Sequence, residues 1–185
     1  VKDLNTGEID TPCFVPYRRK DAQHHAIYGL GYVEFHKITT ERELRLDIFL
    51  PPDKPVEVRI LTIRNTTDVT ARFSIASYVE VALAQLVRDS LQGIETAKNT
   101  ATGALYFRNC RNDFHQGWAF VASSMKTALT ETVRTRFIGG AGHDLSSPYM
   151  LTHGAADLSQ ADDGRRVAVH LGETEILPQS EVSIV

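Results

Sequence analysis

Residues 43–50 read Glu-Leu-Arg-Leu-Asp-Ile-Phe-Leu, an alternation of polar and apolar side chains broken only by Phe49. In an extended chain that period of two puts Leu44, Leu46, Ile48 and Leu50 on one side and Glu43, Arg45 and Asp47 on the other. Such a run is half-buried as one face of a sheet. The same period carries Phe73, Ile75, Val79, Val81 and Leu83, and residues 82–87 read as an extension of that strand. Val56, Val58 and Ile60 share a face while Leu61 and Ile63 take the other, so this strand either holds a bulge or is covered on both sides. Further β-forming runs follow at 104–107, 117–122, 128–133, 166–171 and 181–185. Turn signals separate these runs at intervals of about ten residues. They include Pro51-Pro52-Asp53, Asn65-Thr66-Thr67-Asp68, Thr102-Gly103 and Asp162-Asp163-Gly164. Residues 89–102 and the stretch from Gly139 to Pro148 read as connecting loops. Parallel βαβ units need amphipathic helices between the strands, and the pattern supplies none. The expected fold class is all-β, an antiparallel two-layer β-sandwich formed by a single domain over 1–185.

Residues 3–35 form a shaped approach to the first clear strand. Asn5-Thr6-Gly7 reads as a tight turn. Pro12 and Pro16 each lack a backbone donor, which sends this segment over an edge or rim instead of into a ladder. Tyr28-Gly29-Leu30-Gly31-Tyr32 combines backbone freedom with two flat rings that each carry a hydroxyl. One reading is a β-bulge whose tyrosines cover a sheet edge; the other is direct contact with a ligand such as a sugar face.

Composition narrows the function classes. The chain is 42% hydrophobic and 23% charged, the balance of a globular domain. A formal charge of -3 and a pI near 6.2 leave no electrostatic footprint for nucleic acid. No apolar run is long enough to span a bilayer, so neither nucleic acid nor a membrane is an expected partner of this domain. Cys13 and Cys110 have no metal-ligand spacing and suit a reducing compartment, and a cytoplasmic location is expected. Asn65-Thr66-Thr67 is a formal glycosylation sequon, which matters only for a secreted protein. Val1 in place of a methionine, and a strand pattern still running at Val185, suggest an excised piece of a longer chain.

Several short motifs occur in one order along the chain. They are the Asp3 to Glu8 turn, Thr11-Pro12, Pro16-Tyr17-Arg18, and the block from Tyr28 to Phe35. Leu61-Thr62-Ile63-Arg64-Asn65, Tyr78-Val79-Glu80, Phe107-Arg108-Asn109, and a glycine loop running from Arg136 to Gly142 follow. In this the chain resembles the N-terminal β-sandwich of the inverting disaccharide phosphorylases, of cellobiose and chitobiose phosphorylase type, and the related module of cyclic β-1,2-glucan synthases. Tyr28 stands where that family has His, and Gly140 where it has a second Arg. The resemblance implies a galactose mutarotase-like supersandwich, here a partial copy. It also implies that the proton donor for phosphorolysis lies on a separate α/α barrel, on which the sandwich packs. A homodimer and a carbohydrate partner, a β-linked glucan or oligosaccharide, are implied with it. If the parent is a glucan synthase, it could be membrane-anchored.

The expected role is therefore a non-catalytic, carbohydrate-associated module, with no catalytic residue, cofactor or metal. Arg18, Tyr28, Tyr32, Trp118 and Arg136 are the candidate carbohydrate contacts. Trp118 either stacks on a pyranose ring or fills the core between sheets. Arg108 and Asn109 either bond sugar hydroxyls or satisfy a turn. Two other roles stay open. One is a purely structural or dimerisation module, and the other a mutarotase-like epimerase pairing Glu80 with His115, His153 or His170. His24-His25 does not make a metal site, because neighbours on a strand face opposite ways.

Overall fold

A computed structural model describes residues 1–86, 93–112 and 116–185. Strands take 45% of the described residues and helices 6%, and every strand pair with a defined register is antiparallel, so the fold class is all-β as expected. The chain forms two compact units. Val1–Ser74 and Thr174–Val185 make the first, Ile75–Glu173 the second.

The first unit is built on a five-stranded sheet. It holds β2 (Gln23–Gly29), β3 (Tyr32–Ile38), β4 (Arg42–Phe49), β5 (Val58–Asn65) and β12 (Glu181–Ile184), in the order β12-β5-β4-β3-β2. Pairing from Phe49↔Val58 to Arg42↔Asn65 is unbroken, so β5 has no bulge; it is covered on both sides at Thr62 and Ile63. Leu44 and Ile63 are cross-strand partners on the buried face, as the alternation of β4 requires. The short β1 (Lys2–Asp3) pairs with Phe73 and Ser74 at the start of β6 (Ala71–Val81). Tyr28 to Tyr32 is not a bulge. Leu30 and Gly31 close a two-residue hairpin between β2 and β3, with Gly31 at φ +79°, the left-handed region that favours glycine.

Lys37 and Arg42 project from that same buried face. Lys37 pairs with Leu44 in the register and has a side chain with no solvent exposure. Its ammonium donates to the Asp10 carboxylate. Arg42 donates to Asp3 Oδ2 at 2.9 Å and to Glu8. Arg19 binds Glu8 and chelates Asp21, whose carboxyl it holds down to about 2. The other Asp3 oxygen, Oδ1, accepts the amides of Asn5 and Thr6 at 2.8 and 3.2 Å and so shapes the turn that Gly7 closes. The first twenty-one residues thus bring the acids together with Arg19, and the sheet brings Lys37 and Arg42. Asn65 is buried, and its Nδ2 donates to the carbonyls of Val69, Ile176 and Leu177, so the sequon's amide is not free for a glycan.

The second unit contains a three-stranded sheet in the order β7 (Ile94–Lys98), β8 (Leu105–Asn109), β9 (Ala119–Val121). It also contains the antiparallel pair β10 (Thr127–Val133) and β11 (Arg166–Ile176) up to Glu173. Ile94, Leu105, Phe107 and Ala168 form its core, with Val79, Val81, Leu83 and Val121 packed around them. Three expectations fail in this unit. β6 ends at Val81, and 82–86 is irregular, with position 87 outside the described residues. β7 lies inside the stretch read as a loop, where only Ile94 of its five side chains is buried. Among the described residues two one-turn helices occur, α1 (Arg134–Ile138) and α2 (Tyr149–His153), so the span from Arg136 to Gly142 begins as helix; each buries two apolar residues. Gly139 ends α1 at φ +95°, and a Cβ there would lie 2.5 Å from Tyr149 Cβ.

Removing the Asp10 carboxylate strands the Lys37 ammonium in an apolar layer. D10A is expected to lose about 3–5 kcal/mol of stability, read as a lower urea midpoint. D10A/K37M, which removes both charges, is expected to regain most of it. A D10A midpoint equal to that of the parent protein contradicts this account.

Candidate functional site

In the three-stranded sheet, alternate side chains divide cleanly. Ile94, Leu105, Phe107 and Val121 face the core, so the opposite parity must face outward. Glu95 and Ala97 come from β7 and Tyr106 and Arg108 from β8. Phe120 comes from β9, and Trp118 from the residue just before that strand. The register sets Ala97, Tyr106 and Phe120 in one row, with Tyr106 and Phe120 ring centroids 6.5 Å apart. In the next row Glu95 opposes Arg108, whose Nη2 donates to Glu95 Oε2 at 2.6 Å. The Arg108 guanidinium lies 4.9 Å from the centre of the Trp118 ring. Trp118 is 46% exposed and Phe120 56%, so the indole is not a core residue. This face is an aromatic platform edged by one ion pair.

The other candidates fall at separate places. Tyr28 is 76% exposed, Leu30 fully exposed and Tyr32 51% exposed around the β2–β3 hairpin. Tyr28 pairs with Val33 while Tyr32 pairs with Gly29, so the two tyrosines point to opposite faces and form no common platform. The Tyr28 ring meets Phe35 edge-on at 6.3 Å, and Tyr32 lies over Gly29. Arg18 is exposed in the loop that precedes β2. Arg136 lies on α1, with its Nε closed off from solvent and lacking a hydrogen-bond partner. Thus Arg18, Tyr28 and Tyr32 belong to the first unit, and Trp118 and Arg136 to the second. Asn109 satisfies a turn, accepting from the Arg111 amide and donating to the Leu83 carbonyl, as one of its two readings has it.

A polar cluster joins two of the sequence motifs. The Tyr78 hydroxyl donates to Glu80 Oε1 at 2.6 Å, and Arg134 Nε donates to the same oxygen at 3.0 Å. The Tyr78 ring stacks on Phe137 with 4.9 Å between centroids. The arginine in this contact is Arg134, the first residue of α1. The Tyr78 hydroxyl, with Arg134 second, holds the Glu80 carboxyl below its usual value, whereas burial and then Glu80 raise the Tyr78 phenol. A carboxylate held down in this way is a weak general base. Neither His153 nor His170 hydrogen-bonds Glu80. His153 stacks on Tyr149 at 4.0 Å, and His170, pushed down by burial, has Nε2 3.0 Å from the Gly103 carbonyl. His115 lies outside the described residues. Among the described residues no group of three His, Cys, Asp or Glu is placed to hold a metal ion, and no helix is long and apolar enough to cross a membrane.

The sequence points to Trp118 and Arg108 but not to Tyr106 and Phe120. Tyr106, Arg108 and Phe120 share the parity of Trp118 in the two flanking runs, and that parity was the available signal. It stays ambiguous until β7 fixes which side is inner.

The whole chain, residues 1–185, matches the family described as Glycosyl hydrolase 94, supersandwich domain. It is 25% identical over 187 residues to solabiose phosphorylase of Paenibacillus borealis, an alignment covering 99% of this chain and 24% of that protein. It is 27% identical over 166 residues to the cyclic β-(1,2)-glucan synthase NdvB of Rhizobium meliloti (strain 1021), covering 88% of this chain and 6% of that protein. The chain therefore spans about a quarter or less of the length of these relatives.

Because folding holds the Glu80 carboxyl below its ordinary value of 4.5, the folded state favours its ionised form. That contribution is complete above the ordinary value and is lost as pH falls through the folded one. The stability gap between the parent protein and E80Q is expected to be level above about pH 5 and to close as the solution is acidified below it. Urea titrations at several pH values measure this, and a gap that widens on acidification refutes it.

Proposed function

Because the chain belongs to the glycosyl hydrolase 94 supersandwich family, we propose that it is the non-catalytic, carbohydrate-associated module of a larger enzyme of glycoside phosphorylase or glucan synthase type. The match over the full chain carries this reading. The names of both relatives are those of saccharide-processing enzymes, and in each the matched region is a minor part of the protein. The local chemistry agrees. Glu80, the carboxylate of the epimerase alternative, is occupied by Tyr78 and Arg134, so the expected contribution is binding and placement, not proton transfer. The catalytic region of the parent chain, an α/α barrel, is the partner on which the module packs. Two free thiols, Cys13 and Cys110, suit work in a reducing compartment, the cytoplasm.

Arg18, Tyr28, Tyr32, Trp118 and Arg136 remain the proposed sugar contacts, divided between the two units. Trp118 has the exposed ring that stacking requires. A second reading, a structural or dimerisation module without sugar affinity, draws on β2. This strand ends the five-stranded sheet, has no charged residue, proline or bulge, and is exposed over most of its length. Edge strands of that kind invite pairing with another chain.

Calorimetric titration of the protein with β-linked gluco-oligosaccharides separates the two. Saturable heat of binding is expected. The absence of heat with every oligosaccharide, together with a concentration-dependent dimer in sedimentation, assigns the module to the structural role.

A further inference from the structure

We infer that the outward face of the β7–β8–β9 sheet is a stacking site for a linear β-linked glucan, engaging more than one pyranose ring through Trp118, Phe120 and Tyr106. This rests on the carbohydrate-associated role proposed above and assigns it one surface.

The first argument is the exposure of the rings. A large aromatic side chain gains by burial, and two of them in adjacent same-face positions outside the core form an apolar patch awaiting a flat partner. Trp118 is held from one side by Arg108, which leaves the indole oriented before any ligand arrives. An oriented ring loses less freedom on binding.

The second argument is the shape and charge of the patch. Trp118 and Phe120 are two residues apart on one side of an extended chain, so they stand about 7 Å apart along it. Tyr106 continues the row across the strands, with its centroid 6.5 Å from that of Phe120. An array of rings on a flat sheet fits an extended ribbon of sugar rings. β-Linked glucose units have equatorial substituents and present flat C–H faces, whereas an α-linked chain coils away from a plane. The two ionised groups on this face, Arg108 and Glu95, neutralise each other. A neutral polyhydroxylated ligand meets donors and acceptors at the rim with no net charge, and a polyanion gains nothing.

The third argument is size. Three strands of at most five residues present about 15 Å by 17 Å, roughly 250 Å². A stable protein interface takes about 800 Å² from each partner. The platform by itself is too small to seat a protein and large enough for a few sugar rings.

Trp118 is the only tryptophan in the chain, so its emission reports on this face alone. The expected result is a saturable emission change with linear β-1,4-linked gluco-oligosaccharides. Affinity should rise from the disaccharide to the trisaccharide, with no response to maltohexaose. By calorimetry, W118A and F120A should each weaken binding about tenfold, and Y106A less. Circular dichroism and urea unfolding establish that each variant is folded; if W118A is not, F120A and Y106A carry the test. Glucan binding that these substitutions leave unchanged overturns this assignment while the carbohydrate-associated role stands. No binding of any glycan by the parent protein overturns both. A change in Trp118 emission that follows protein concentration instead of glycan assigns the face to a protein contact and likewise overturns the inference.

Discussion

Lys37 and Arg42 stand on the one face of the five-stranded sheet that has to be buried, and neither can be buried alone. An unpaired ammonium in an apolar layer costs several kcal/mol or sheds its proton, so the face closes only when acids reach it. Asp3, Glu8 and Asp10 supply them from a segment that, apart from two residues of β1, has no regular structure of its own. The same side chains then order that segment. Asp3 accepts two turn amides with one oxygen and Arg42 with the other, and Asp10 accepts the Thr11 amide beside Lys37. Burial of the sheet face and the path of the N-terminal residues are thus a single event. A network of this type adds little net stability compared with apolar packing, yet it leaves the segment one register in which all charges are met.

The same logic, inverted, distinguishes the three-stranded sheet. Its inner parity meets the core through Ile94, Leu105, Phe107 and Val121, and it buries no charge that needs a tether. What its outer parity carries is aromatic, where a purely structural outer face would carry Lys, Glu and Thr. Tyr106 and Phe120 are cross-strand partners, and the ion pair of Arg108 with Glu95 sets the guanidinium against the Trp118 ring.

Much of the architecture could be read from the sequence, because a period of two imposed by one buried face survives in the residues. β4 and its partner rows follow the alternation of Leu44, Leu46 and Ile48 directly. β7 did not show, since Glu95, Thr96, Ala97 and Lys98 are all exposed and leave no period to detect. The hairpin at Leu30-Gly31 was legible as backbone freedom but not as a turn, because its edge strand is exposed on both faces and its side chains do not mark the register. Long-range charge pairing was invisible for a different reason. Asp10 and Lys37 are 27 residues apart, and only the sheet register brings the ammonium to the carboxylate. Trp118 illustrates the limit most plainly. Parity groups it with Phe120, but parity cannot say which side is solvent, and the core reading and the sugar-stacking reading use the same pattern.

Glu80 marks the boundary between a surface that binds and one that reacts. A carboxylate that is to move protons needs a raised or freely shifting pKa and an exposed lone pair next to a partner acid or base. Here one oxygen takes both the Tyr78 hydroxyl and Arg134, and the proton affinity falls. The arrangement braces the end of β6 against α1, where Phe137 stacks on Tyr78. It also fixes the start of α1, the helix that carries Arg136 and ends at Gly139. A carboxylate held in this way ties one element to another and is a poor proton acceptor.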